Sequence, residues 1–147
     1  MTPTAGELHT QAYFAKASAA YEDAMAAYSD ALEVVADAKA VLFEAKDRVR
    51  ELEDENVVNG GSGVHTVSPS MTATKRDAVL RLALKDSQAF QEARRALLKA
   101  ERELDRAEAL RDTAANRMAI ERRRCDAYLA AANQRAAVLS AQPMSRQ

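Results

Sequence analysis

The sequence predicts an all-α protein, a long antiparallel helical hairpin of the coiled-coil type with a glycine-rich connection. Its 147 residues include only four glycines and three prolines, which lie near the ends or in the middle and leave two long tracts free of helix breakers. Both tracts repeat large apolar residues at seven-residue spacing, with alanine three positions later. Because aromatic residues make up only 5%, the chain can fill a thin seam between helices but not a thick globular core. We therefore expect one hairpin domain over residues 1–147, which self-associates into a helical bundle.

The first predicted helix covers residues 5–56. Its seam alternates large and small positions over six successive heptads: Phe14, Ala17, Tyr21, Ala24, Tyr28, Ala31, Val35, Ala38, Leu42, Ala45, Val49 and Leu52. Alanine at every second seam position lets a partner helix approach more closely than in a leucine zipper. Met25 and Leu32 widen the stripe toward a third helix or a second subunit.

Residues 57–73 form the predicted connection. Three of the four glycines fall between Asn59 and Gly63, and β-branched residues flank them on both sides. This pattern leaves two alternatives open, a loop or a small β-hairpin, and an isolated hairpin is marginal in water.

The second predicted helix covers residues 74–141 and precedes a frayed tail at 142–147. Thr74 and Asp77 have the spacing of a capping box, and Thr72 is an alternative cap. Arg111 and Glu121 fall where a strict heptad needs apolar residues, which predicts a slip of register there. The predicted seam is Val79, Leu82 or Ala83, Phe90, Ala93, Leu97, Ala100, Leu104, Ala107, Leu110, Ala114, Met118, Cys125, Tyr128 and Ala132.

Laying the two seams antiparallel places Leu52 opposite Phe90 and Phe14 opposite Tyr128. Lys75 to Ala89 then extends beyond the end of the first helix. We expect either the connection to fold back over that segment or the segment to pack on another subunit.

Charge divides the chain into two halves. Residues 1–56 hold 12 Asp or Glu and 5 Lys or Arg, a net charge of −7, whereas residues 57–147 hold 10 and 16, a net charge of +6. We expect the two halves to attract each other, with ion pairs within and between helices. The acidic turn at residues 53–55 would meet cations from the following helix, namely Lys75, Arg76 and Arg81.

Exposed basic residues of the second half are the candidate contacts to a protein partner or to nucleic acid: Lys75, Arg76, Arg81, Lys85, Arg117, Arg122, Arg123 and Arg124. Three consecutive arginines fan over most of a helix, so the run at 122–124 cannot form one flat patch. Proteins that bind single-stranded nucleic acid interleave aromatic residues with such cations, and this part of the sequence lacks that interleaving.

No catalytic, cofactor or metal motif is evident. Cys125 lies on the seam, His9 and His65 are far apart, and no paired Cys or His ligands occur at helical spacing. A thin hairpin offers few dry pockets in which a carboxylate could become a catalytic group. We therefore expect a non-enzymatic protein without cofactor or metal. The single cysteine, the lack of a signal segment and the lack of a long apolar run predict a soluble cytoplasmic protein.

The segment from Thr72 to Arg124, with ATKRDA and EARRALLKAERELDRAEALRDTAANRMAIERRR, resembles small all-helical bacteriophage proteins. These proteins have an Ala/Glu/Lys-rich first helix, a short glycine-containing break, and a second long helix that begins with Thr and an acid. They are encoded among early genes, often beside single-strand annealing recombination genes. The long connection from Val57 to Ala73 departs from that layout.

The resemblance implies a phage accessory protein that acts through partners in the host cytoplasm, in recombination, replication or host defence. The first expected function is therefore protein–protein interaction through the hairpin. The alternatives are an accessory nucleic-acid-binding protein that uses the basic second helix, and a structural or assembly component of the virion.

Overall fold

The computed structural model describes residues 2, 5–60 and 66–142, and over them the chain forms three α-helices. They are α1 (Ala5–Val58), α2 (Ala73–Asp86) and α3 (Gln88–Ala141). The two long helices, α1 and α3, pack together as a helical hairpin. The predicted all-α class and hairpin architecture are confirmed.

Helix α1 ends close to its predicted boundary, at Val58 rather than residue 56. After Gly6 it contains neither glycine nor proline, and its many alanines favour the helical backbone. Gly60 follows it with a φ of 63°, a left-handed conformation that glycine adopts without steric cost and that often ends a helix. Its carbonyl accepts a hydrogen bond of 2.8 Å from the Val67 backbone N–H.

The predicted β-hairpin in the connection is not formed in the part of it that the structure describes. Val57 and Val58, which would have begun its first strand, continue α1 instead. Residues 66–72 adopt turns and irregular backbone, and residues 61–65 lie outside the described residues, as does the tail at 143–147. The Arg76 guanidinium donates to the Pro69 carbonyl at 3.2 Å, so this end of the connection folds back on α2.

The predicted helix 74–141 is interrupted at Ser87, which separates α2 from α3. Ser87 has extended backbone (ψ 116°), and its N–H still donates to the Leu84 carbonyl. Its side-chain Oγ accepts a hydrogen bond of 3.3 Å from the Phe90 N–H, which is the N-cap interaction for a new helix. A serine that bonds to nearby backbone can thus end one helix and begin the next, a role that the apolar periodicity did not reveal.

The predicted cap of the second helix is also displaced. Helix α2 begins at Ala73 with Thr72, the alternative cap, in the N-cap position, and the Thr72 side chain makes no capping hydrogen bond. Thr74 therefore lies inside the helix. Asp77 falls beyond the first turn, so the predicted capping box is wrong.

The chain folds as two compact units, each built on antiparallel pieces of α1 and α3. Unit 1 comprises residues 1–33 and 109–147. In it the Tyr13 and Tyr128 rings stack with centroids 6.2 Å apart, and Phe14 lies beside Tyr128 as predicted. The buried seam residues of this unit are both alanines, Ala17 and Ala24.

Unit 2 comprises residues 34–108. Its core is small and rich in alanine, as the composition predicts: Val35, Ala83, Phe90, Ala93, Ala100 and Ala107 are buried. The Asn56 amide donates to the Leu80 carbonyl at 3.0 Å and fixes α2 against the last turns of α1. Within the described residues, the acidic turn at 53–55 forms no ion pair with the predicted cations Lys75, Arg76 and Arg81, and Arg76 donates instead to the Pro69 carbonyl.

The predicted slip of register in α3 does not occur. Leu110 is 63% exposed, whereas Arg111 and Glu121 take the seam positions of a strict heptad. The long side chain of Arg111 can pack its methylene stem in the seam while its guanidinium reaches Asp112 at 2.8 Å. Of the predicted alternatives Leu82 and Ala83, Ala83 is buried and Leu82 is exposed. The predicted seam positions Ala132 on α3 and Phe14 on α1 are also exposed.

Candidate functional site

A groove with polar and aromatic walls lies along one side of unit 1. It has a volume of about 230 Å³, and we call it the tyrosine groove. Its lining comes from both helices: Tyr13, Lys16, Ala17 and Ala20 from α1, and Glu121, Arg124 and Tyr128 from α3. The antiparallel pairing therefore brings residues more than 100 positions apart in sequence into one site.

The two tyrosines form the aromatic end of this groove. The rings of Tyr13 and Tyr128 are nearly parallel, at 10°, and Tyr13 is 44% exposed. Stacked rings present a rigid apolar surface with polar hydroxyl ends, a combination that is common where proteins bind each other.

Two cations and one acid give the groove its charge. Arg124 pairs with Glu121 at 3.1 Å, and the Arg124 side chain stays 64% exposed while that of Glu121 is only 12% exposed. Glu121 thus holds Arg124 in place, and Lys16 on the facing helix adds a second positive charge. The groove is positively charged overall and suits an acidic ligand.

The same side of α3 continues beyond the groove. Arg117 is seven residues before Arg124, and Leu110 is seven residues before Arg117, so all three share one side of the helix. Arg117 and Leu110 are exposed. We call the tyrosine groove together with Arg117 and Leu110 the basic side of unit 1.

The structure thus brings two of the four predicted contacts of unit 1, Arg117 and Arg124, onto one surface. Arg122 and Arg123 are exposed as well, but successive residues turn by about 100° around a helix, so they lie on other sides of α3.

The four predicted contacts of unit 2, Lys75, Arg76, Arg81 and Lys85, are all exposed on α2. None of them lines the groove of about 130 Å³ between the end of α1 and Leu84 and Ser87. Of the four, Arg76 donates a hydrogen bond to the Pro69 carbonyl.

Of the seven residues that line the tyrosine groove, only Arg124 was among the predicted contacts, and the other aromatic and basic members, Tyr13, Lys16 and Tyr128, were not predicted. The sequence indicated them only indirectly. Tyr13 lies one position from the seam, and its contact with Tyr128 follows only when the antiparallel register of the two helices is known. Lys16 stood as a single positive charge in an acidic stretch.

A second groove in unit 1 is apolar. It has a volume of about 180 Å³ and is lined by Thr10, Gln11, Phe14, Tyr128, Leu129 and Ala132. We call it the apolar groove. At its edge the Arg135 guanidinium donates to the Thr10 hydroxyl and links α3 to α1.

No metal-binding arrangement occurs in the described part of the chain, where no three His, Cys, Asp or Glu residues are grouped suitably. Cys125 is a half-buried free thiol on the seam. Over residues 5–60 and 66–142, no helix combines the length and the apolar character that crossing a bilayer requires.

Comparisons with known proteins give no indication of function, which is therefore inferred from this geometry. No protein-family model, curated protein or solved structure matches the chain.

Proposed function

We propose that this chain is a non-enzymatic interaction protein that binds an acidic segment of another protein through the basic side of unit 1. One observation carries the proposal: the stacked pair Tyr13 and Tyr128 lies beside two cations, Lys16 and Arg124, in a groove open to solvent. Tyrosine and arginine are, with tryptophan, the residues enriched among those that dominate binding energy at protein interfaces.

The shape of this surface favours an extended or helical partner. The spacing from Leu110 to Arg124 covers 14 residues of α3, or about 21 Å of helix. A partner helix with apolar residues at its centre and Asp or Glu at its margins would cover the tyrosines and reach Arg117 and Arg124. Steering by the opposite charge would raise the association rate at low salt.

The phage-type resemblance gives this proposal a biological setting. It favours an accessory protein whose partner belongs to recombination, replication or host-defence machinery. The experiment that tests the binding surface does not depend on which of these is right.

Nucleic-acid binding is the second candidate, and the same groove supports it. An exposed aromatic stack beside cations is what single-stranded nucleic acid uses for base stacking and phosphate contacts. Arg122 and Arg123 add exposed positive charge nearby on α3.

Affinity capture with matched charge variants tests the protein-binding proposal. The chain and a double variant, Arg117→Glu with Arg124→Glu, are used as bait in the same cells, and bound proteins are quantified. The control is Arg123→Glu, which reverses an exposed charge on another side of the same helix. We expect a partner that the chain and the control retain and the double variant loses. Equal retention by all three baits would refute the basic side as the binding surface.

A mobility-shift titration separates the second candidate from the first. The purified chain is mixed with single-stranded DNA, double-stranded DNA and RNA over increasing salt. Binding that falls steeply with salt and is lost in Tyr13→Ala supports the nucleic-acid role. The absence of binding at low salt removes it and leaves the protein partner.

A further inference from the structure

The apolar groove is one end of a longer apolar surface. Gln11 lines this groove on α1, and Ser18, Met25 and Leu32 follow it at seven-residue steps, so they continue along the same side of α1. Met25 is 40% exposed and Leu32 is 44% exposed, although both are large apolar residues.

The facing part of α3 has a matching row. Leu129 lines the apolar groove and is 51% exposed, and Arg122 and Ala115 precede it at seven-residue steps. Both rows begin at the same groove and therefore lie on the same side of unit 1. We call this surface, with its two rows, the apolar side of unit 1.

The two helices that border this surface carry opposite charge. Residues 5–33 of α1 hold five Asp or Glu and one Lys, a net charge of −4. Residues 109–141 of α3 hold six Arg and three Asp or Glu, a net charge of +3. A partner that fits this side must therefore offer a basic strip above α1 and an acidic strip above α3.

We propose that a second copy of this chain covers the apolar side of unit 1. In a dimer whose two-fold axis lies in the plane between the two copies and runs parallel to the helices, α1 of each copy lies antiparallel along α3 of the other. The acidic helix of each copy then faces the basic helix of its partner. The assembly is a four-helix bundle of two hairpins, with Met25 and Leu32 in the interior.

The two-fold axis gives this dimer a register, because it places each level of α3 opposite the level of α1 that it meets within the hairpin. Gln11 and Leu129 line one groove, so Leu129 of one copy lies beside Gln11 of the other and covers the apolar groove of that copy. The seven-residue spacing then brings Arg122 beside Ser18 and Ala115 beside Met25. The stem of Arg122 packs along Ser18, and its guanidinium leans toward the N-terminus of α3.

That direction brings the Arg122 guanidinium toward Glu22, which is one turn after Ser18 on the facing α1. Both side chains are exposed in the single chain, so the dimer gives each a partner of opposite charge. The two-fold symmetry forms this pair twice.

The size of the surface agrees with a stable dimer. From Gln11 to Leu32 the rows extend about 30 Å, and two adjacent helices are about 20 Å wide, which gives about 600 Å² from each copy. The total of about 1,200 Å² is at the lower end of the range for specific interfaces.

Light scattering coupled to size-exclusion chromatography tests the proposal on the whole chain. The expected mass is twice the chain mass of 16.0 kDa. Met25→Glu should weaken dimerisation by about tenfold or more, because it places a charge in the interior of the bundle. The control Leu110→Glu, on the basic side of the same unit, should stay dimeric. A native mass of one chain or of more than two chains overturns the proposal, as does an equal effect of both variants.

A charge exchange tests the register and leaves the seam of the single chain untouched. Glu22→Lys and Arg122→Glu should each weaken the dimer, and the double variant should recover most of its strength. Arg117→Glu, on the other side of α3, is the matched control for the arginine change. Without recovery in the double variant, the register is wrong. Circular dichroism of each variant verifies that the helices remain.

Discussion

Replacement of Ala100 by leucine measures how closely the two helices of unit 2 approach each other. Ala100 is 3% exposed on α3, at a small seam position with buried alanines seven residues away at Ala93 and Ala107. Alanine and leucine have similar helix propensities, so the substitution changes the packing of the seam far more than the stability of the isolated helix.

Two opposing effects set the change in the free energy of unfolding that Ala100→Leu causes. Leucine adds three carbon atoms, and burying them would contribute about 2.4 kcal/mol at about 0.8 kcal/mol per methylene if space were available. A seam in which alanine is already almost fully buried has no such space, and overpacking costs about 1–3 kcal/mol. The steric cost should prevail, and the variant should be less stable than the native chain.

Thermal and urea unfolding, followed by circular dichroism at one fixed protein concentration, measure the effect. With an unfolding entropy of about 2.1 cal/mol/K per residue, a loss of about 1–3 kcal/mol lowers the Tm of this chain by about 3–10 °C. The matched control is Ala96→Leu, one turn earlier on the same helix, where the alanine is exposed and the change should be nearly neutral. Equal or greater stability of Ala100→Leu would refute the close seam.

Three further substitutions test local features of the fold by the same unfolding measurements. Gly60→Ala should lower the free energy of unfolding by about 1–2 kcal/mol, because the φ of 63° strains any residue with a Cβ. The control is Gly6→Ala, which should be neutral or stabilising because this glycine is helical and has open space around it. Ser87→Ala should cost about 1 kcal/mol by removing the cap on the Phe90 N–H, and no loss would show that the break does not depend on it. Glu121→Leu should raise stability by about 1 kcal/mol, since it places an apolar residue in the seam, and a decrease would show that its pair with Arg124 outweighs packing.

The candidate site illustrates what the sequence could indicate in advance. Arg117 and Arg124 share a side of one helix, and the sequence is enough to show this because the relation depends only on their seven-residue spacing. Their neighbours Tyr13 and Lys16 come from the other helix. Their position beside Arg124 depends on the antiparallel register, which is a property of two packed helices rather than of either one.

The amino-acid sequence was sufficient to predict the two long helices, the alternation of large and small residues along their seam, and the hairpin architecture. These features follow from local rules, since the period of the apolar residues decides which side of each helix is buried. The same rules place alanine at the buried positions of both units, and they predicted the end of α1 to within two residues.

The packed helices were needed to show the break at Ser87, the positions of Arg111 and Glu121 in the seam, and the residues that border each side of unit 1. A serine can lie within a helix or cap one, and an arginine can be solvated or bury its stem, with little difference in local free energy. Which of these states each residue adopts depends on the side chains that the neighbouring helix places opposite it. For the same reason the apolar and basic sides of unit 1 became visible only when α1 and α3 were seen side by side.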